Sequence, residues 1–236
     1  MPRCQHVAAK SCTMGDVERG VDLVVPIKRL DRAKSRLRGA VPAEEHADLV
    51  LALLLDTVTA AAQAHGVRRI LVVCEDERIP AALTGTGVEC VDERGLPGLN
   101  AALTFGTEYL RTPAGTVGAL QADLPALRPA ELTAALRAAA RHGRSFVRDA
   151  EGTGTTLLLS RSARDLRPMF GPGSAARHAG SGAYEVDPAA LASLTRDVDT
   201  AADLDAAAAL GLGPWTAGLL SGRPLHPPGS GEARAG

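Results

Sequence analysis

Two rhythms run along the chain: short unbroken apolar runs, and longer stretches with apolar residues at helical spacing. Residues 22–27 (DLVVPI) hold Leu23, Val24 and Val25 in a run closed by Pro26, which predicts a buried strand. Pro42 with Glu44 and Glu45 opens a helix, and Leu49, Val50, Leu53, Leu54 and Val58 recur at helical spacing to about His65, where Gly66 ends it. RILVVC at 69–74 is a second buried strand and 88–91 a shorter third. A Gly/Pro turn at 94–98 leads into a helix over 99–110. Residues 116–121 form a fourth strand ending at Ala122-Asp123-Leu124-Pro125, and a helix over 129–141 carries Leu132 and Leu136 on one face. Strands at 145–148 and 155–159 flank a turn at 151–154. The loop 170–174 (FGPGS) opens a short helix, and Thr200 with Asp203 has the shape of a capping box for a helix over 201–210. Residues 1–20 lack periodicity and 221–236 are rich in Pro and Gly, so one domain at 21–220 is expected between two flexible tails.

Strands alternating with helices predict an α/β domain of three layers, a mostly parallel sheet with helices on both faces. The 236 residues are 45% hydrophobic, enough for one core of this kind. Aromatics are only 3%, so that core must be built from Val, Leu, Ile and Ala. A formal net charge of −1 argues against a general polyanion binder. Cys4, Cys12, Cys74 and Cys90 form neither a C-x-x-C pair nor a Cys/His cluster, and Cys74 and Cys90 fall in apolar runs. A reduced, cytoplasmic protein without structural zinc is therefore expected. No apolar run reaches the roughly 18 residues of a membrane span, and the first residues lack the apolar core of a secretion signal.

Charge changes this picture locally. Lys28, Arg29, Arg32, Lys34, Arg36 and Arg38 follow the first strand, opposed only by Asp31. A basic loop after a first buried strand is where α/β folds bind phosphate, although a solvated basic face reads equally well. Walker A and complete G-x-G-x-x-G sequences are both missing, so phosphate binding must rely on side-chain cations. Asp123 ends a buried strand, where a carboxylate can hold a hard cation that takes one or two protein oxygens. A turn aspartate bonding backbone amides fits as well. Asp197 and Asp199 sit at i and i+2 on an extended segment and can approach one ion from the same side. In isolation, capping of the following helix by Asp199 is the stronger reading. The loops 152–156 (GTGTT) and 170–174 combine glycines with hydroxyls that suit an anion, or are plain turns. Ser174 can bind that anion or cap its helix, Arg177 and His178 can lend it charge, and Asn100 can cap or meet a ribose or base.

VVPIKRLDRAKSRL, GLNAAL, QADLPAL, GTGTT, FGPGSAARH and DVDTAADL occur in an order that resembles the phosphoenolpyruvate/2-phospho-L-lactate guanylyltransferase family, which serves biosynthesis of the deazaflavin coenzyme F(420). The resemblance runs from about residue 22 to 220. It implies a single Rossmann-like domain of the nucleotide-diphosphosugar-transferase type. It also implies joining of GTP to a phosphorylated three-carbon acid with release of pyrophosphate. Asp123 and Asp199, helped by Asp197, would hold Mg²⁺. Thr155, Gly171 and Ser174 would bind the carboxylate and phosphate of the acceptor. Lys28, Lys34 and Arg36 would hold the triphosphate, with Asn100 near the nucleoside. Lys28, Asp123 and Asp199 would carry the catalysis. The expected acceptor is phosphoenolpyruvate, with 2-phospho-L-lactate the alternative. GTP and phosphoenolpyruvate would be the partners, without nucleic acid or membrane, and a homodimer stays open. A molybdopterin nucleotidyltransferase would keep the fold, but the first loop lacks that family's Gly-Gly turn. A non-catalytic module docking nucleic acid on the basic loop is the rival of another class; acidic sites on the same crevice would repel phosphate unless a metal intervened.

Overall fold

The computed structural model describes residues 20–31, 33–93, 95–110, 115–223 and 225. Most of the two expected tails, together with Cys4, Cys12 and Arg32, lies outside the described residues. The strands are β1 (Val21–Pro26), β2 (Val67–Cys74), β3 (Glu89–Asp92), β4 (Thr116–Leu120), β5 (Arg144–Arg148), β6 (Thr155–Ser160) and β7 (Tyr184–Glu185). The helices are α1 (His46–Gln63), α2 (Arg78–Leu83), α3 (Leu99–Leu110), α4 (Pro129–Ala139), α5 (Ser174–Gly180), α6 (Ala192–Thr195), α7 (Ala201–Leu210) and α8 (Pro214–Leu220).

The strands form one seven-stranded sheet in the order β3-β2-β1-β4-β6-β5-β7. Only β6 runs against the others: it pairs antiparallel with β4 and β5. β1 is buried on both faces because helices cover both. Leu23 and Val25 pack with α1, α2 and α4, while Val24 packs with α3 on the opposite face. This explains why β1 reads as an unbroken apolar run rather than an alternating one. Core side chains are Leu, Val, Ile and Ala almost throughout, with Phe146 and Phe170 the aromatic exceptions.

The strand order reverses beside β1. β2 and β3 extend the sheet to one side, whereas β4 returns by α3 to the other. The carboxyl ends of β1 and β4 thus bound a crevice at a topological switch point. Antiparallel β6 brings its amino end, Thr155, to the same rim, because Leu120 pairs with Leu157 and Gln121 N–H donates to Thr156 O at 2.9 Å.

Four short elements, α2, α6, α8 and β7, carry no sequence prediction. α2, α6 and β7 are too short to display a period. α8 has a legible signal, Pro214 at its first position. Its amino end is held from far away in sequence: the Asp56 carboxylate of α1 accepts from the Trp215 and Thr216 amides at 3.0 and 2.8 Å. Asp56 is buried, and it is the side chain that fastens the C-terminal layer onto α1. Replacing Asp56 by Ala removes the acceptor of one buried and one partly buried amide, and it should lower unfolding free energy in urea by about 1–3 kcal/mol. Asp56→Asn retains one acceptor and should cost less.

Candidate active site

The loop leaving β1 is pinned at several points. Leu30 and Leu37 are fully buried anchors. The Leu30 amide donates to Asp76 at 3.1 Å, and the His46 ring meets Ala33 O at 2.9 Å. Between these anchors Lys34 takes a left-handed backbone conformation, φ 54°, which non-glycine residues adopt at a cost. Its ammonium reaches across the crevice to two carboxylates. It contacts Asp123, and it lies 2.5 Å from Asp199 Oδ1. Arg36 meets the other Asp199 oxygen at 3.2 Å. Lys28 is exposed and lines the same cleft, a space of about 400 Å³ bordered also by Pro26, Leu99 and Gln121.

Thr57, buried on α1, shapes the turn that presents Asp123. Its hydroxyl is within 2.8 Å of Leu53 O and 3.2 Å of Ala122 O, and it accepts from the Leu124 amide at 2.9 Å. Val198 N–H donates to Asp123 O at 3.0 Å, so the segment bearing Asp197 and Asp199 is tied to the end of β4. Two acidic corners that are distant in the chain therefore meet at one place.

The geometry decides between the readings left open by sequence. Asp123 is not a turn aspartate: its carboxylate bonds Lys34, and its buried Oδ1 has no hydrogen-bond partner. Asp199 is not the helix cap, a role taken by Thr200 with Asp203 in a complete capping box. Ser174 caps nothing and bonds Thr155 instead.

The charges follow from this crowding. Burial raises the Asp197 carboxyl to about 7, and the neighbouring Asp123, Asp149 and Asp199 add to the effect against the pull of Lys34. Asp199 goes the other way: burial opposes its charge, but Lys34 and Arg36 hold it below the ordinary carboxylate value. Burial also disfavours the Lys34 ammonium, and the two carboxylates more than offset that, so it stays protonated. Among the described residues no three His, Cys, Asp or Glu side chains converge as a ready-made metal site. A hard cation needs only one or two protein oxygens, and the orphaned Asp123 Oδ1 in a carboxylate-rich cleft is such a donor.

Thr155, Gly171 and Ser174 are brought together where the start of β6 meets the FGPGS turn. Thr155 and Ser174 are buried, with their hydroxyl oxygens 3.1 Å apart. Gly171 has φ 112°, a conformation that favours glycine. Arg177 donates to the carbonyls of Met169, Gly171 and Pro172, so its charge braces the loop. His178 lends no charge either: burial, aided by Arg144 and Arg177, lowers it to about 4 and keeps the ring neutral. Asn100 grips the loop by both ends of its amide. Nδ2 donates to Phe170 O at 3.1 Å, and Oδ1 accepts from Phe170 N–H at 2.8 Å. It joins the start of α3 to the FGPGS turn. Thr57, His178 behind Thr155, and this use of Asn100 escaped the sequence reading. Thr57 and His178 lie far in sequence from their partners, and only the fold discloses the contact.

Residues 21–208 match the family described as guanylyl transferase CofC like. A phosphoenolpyruvate guanylyltransferase of Thermomonospora curvata is 47% identical over 224 residues, covering 94% of this chain and 98% of the relative. Another so named, from Streptomyces scabiei, is 50% identical over 201 residues, covering 83% and 93%. Among solved structures, a putative nucleotide-diphospho-sugar transferase from Desulfovibrio desulfuricans superposes with a TM-score of 0.63 at 15% identity, over 85% of this chain and 94% of that one. 4-Diphosphocytidyl-2C-methyl-D-erythritol synthase shares the fold at TM-score 0.57 and 14% identity. The fold is the nucleotide-diphospho-sugar transferase type, and the chain belongs to the CofC-like guanylyltransferase family.

Proposed function

We propose that the protein is a phosphoenolpyruvate guanylyltransferase of coenzyme F(420) biosynthesis. It joins GTP to phosphoenolpyruvate and gives enolpyruvyl-2-diphospho-5'-guanosine and pyrophosphate. The observation that carries this reading is the meeting of Asp123 and Asp199 across Lys34 in a cleft lined by further cations of the first loop. The names and close similarity of the relatives favour phosphoenolpyruvate over 2-phospho-L-lactate as acceptor.

A phosphate oxygen of the acceptor attacks the α-phosphorus of GTP. The bond from that phosphorus to the oxygen bridging to the β-phosphorus breaks, and pyrophosphate departs with the electron pair. The attacking oxygen is already ionised, so no general base is required. Two anions must instead be neutralised and held in line. Lys28, Lys34 and Arg36 hold the triphosphate. Thr155, Gly171 and Ser174 hold the carboxylate and phosphate of the acceptor. Asp123 and Asp199, with Asp197 beside them, would hold Mg²⁺, which supplies charge neutralisation at the transferring phosphoryl group. Lys34 has two sets of partners, the carboxylates seen here and the triphosphate. Asn100 acts from the acceptor side, through its grip on Phe170.

Pyrophosphate release with GTP, Mg²⁺ and each phosphorylated acid tests the reaction. Phosphoenolpyruvate should support turnover best, and no pyrophosphate with any such acid overturns the proposal. Asp123→Asn should fold normally and lose turnover by ~10²-fold or more. Stability should also depend on pH through His178. The unfolded ring takes up a proton near its ordinary 6.5, while the buried ring resists until about 4. The unfolded state therefore binds more protons between these values, and this contribution is complete above 6.5 and lost as pH falls toward 4. Melting temperature should fall on acidification through that window, and His178→Gln should flatten the slope.

A further inference from the structure

His178 stands behind the acceptor wall. Its ring is closed to solvent, with Phe146 and Phe170 against it at centroid distances of 5.9 and 5.3 Å. The Met169 amide donates to Nε2 at 3.1 Å. A backbone amide is only a donor, so Nε2 carries the lone pair, and the proton of the neutral ring sits on Nδ1. Nδ1 is 2.9 Å from Thr155 Oγ1, so Nδ1–H donates and the threonine oxygen accepts. Thr155 Oγ1 is also 3.1 Å from Ser174 Oγ. These two hydroxyls own two protons, and only one of them fits between the oxygens. His178 can give Thr155 a hydrogen bond but cannot take one from it. The second hydroxyl proton therefore has no acceptor within the triad.

We propose that His178 is a positioning residue that fixes the Thr155–Ser174 pair as a net donor toward the anionic oxygens of the acceptor. The Met169 amide sets the tautomer, the tautomer fills an acceptor site of Thr155, and the spare O–H faces the ligand. With the opposite tautomer, Thr155 would turn its proton back onto Nδ1 and present a lone pair to an anion, which is repulsive. The inference rests on Thr155 and Ser174 binding the acceptor.

The test measures KM for phosphoenolpyruvate and for GTP in three single variants and one double. Asn at 178 overlays its amide on Nδ1 and keeps a donor to Thr155. Gln overlays Nε2 and keeps only the acceptor for Met169. His178→Gln should raise KM for phosphoenolpyruvate by about tenfold or more, in the range of lost supporting contacts to a ligand-binding group, with KM for GTP unchanged. His178→Asn should stay near the parent value. Thr155→Val should raise the same KM, and adding His178→Gln to it should bring no further rise, because the histidine acts through the threonine. If Thr155→Val leaves KM for phosphoenolpyruvate unchanged, the acceptor-site assignment itself is wrong. If Thr155→Val raises it and His178→Gln does not, or the two rises multiply, the assignment stands and the role of His178 is overturned. Should His178→Gln fail to fold, His178→Asn decides alone: near-parent KM supports the positioning role, and a tenfold rise overturns it.

Discussion

Lys34 stands between the carboxylates of Asp123 and Asp199, and the rest of the site is arranged around that contact. Carboxylates gathered at the end of a buried strand repel one another and resist desolvation, so they need a cation in their midst. The chain supplies one from the loop after β1, at the cost of a left-handed backbone at Lys34. That cost, of order 1 kcal/mol, is held in place by the buried anchors Leu30 and Leu37 on either side. The carboxylates carry charge of the sign that complements a divalent ion, and Lys34 and Arg36 charge of the sign that complements a polyphosphate. The raised value of the Asp197 carboxyl has the same origin: burial first, then the neighbouring carboxylates, disfavour its charge.

The sheet explains how three remote pieces of chain come to share that charge. β1 and β4 are neighbours only because the strand order reverses between them, so the basic loop and Asp123 leave the sheet side by side. Val198 then ties the DVDT segment to the backbone of Asp123. The one reversed strand, β6, presents its beginning where its neighbours present their ends, and so delivers Thr155 to the same rim. Had β6 run with the others, its hydroxyls would lie at the opposite edge. Asp56 and Thr57 are consecutive in the same helix and face different partners, Thr57 shaping the Asp123 turn and Asp56 fastening α8.

Much of this was written openly in the sequence. β1, α3 and α7 appear where periodicity, Pro26, Gly98 and the Thr200–Asp203 pair put them, because each is governed by local chemistry. The acidic and hydroxyl corners were legible as residue types, and the order of motifs gave their grouping. Partner choice was not legible. Whether Asp123 bonds an amide or a lysine depends on the loop 89 residues before it. Asn100 carries the same side chain for a base or for Phe170, and only the approach of α3 to the FGPGS turn selects the second. His178 was legible only as a possible charge beside the loop; which nitrogen faces Thr155 was not legible, and the Met169 amide decides that.

The central claim is that Asp123 and Asp199 serve a single cation site. Titration of Mn²⁺ into the GTP-bound protein, read from the electron spin resonance of the free ion, tests it through Asp123→Asn, Asp199→Asn and the double variant. The account predicts that each single change weakens Mn²⁺ binding and that the pair is strongly non-additive, the double being little worse than the poorer single. Independent, multiplying losses, or full Mn²⁺ affinity in either single variant, would contradict it.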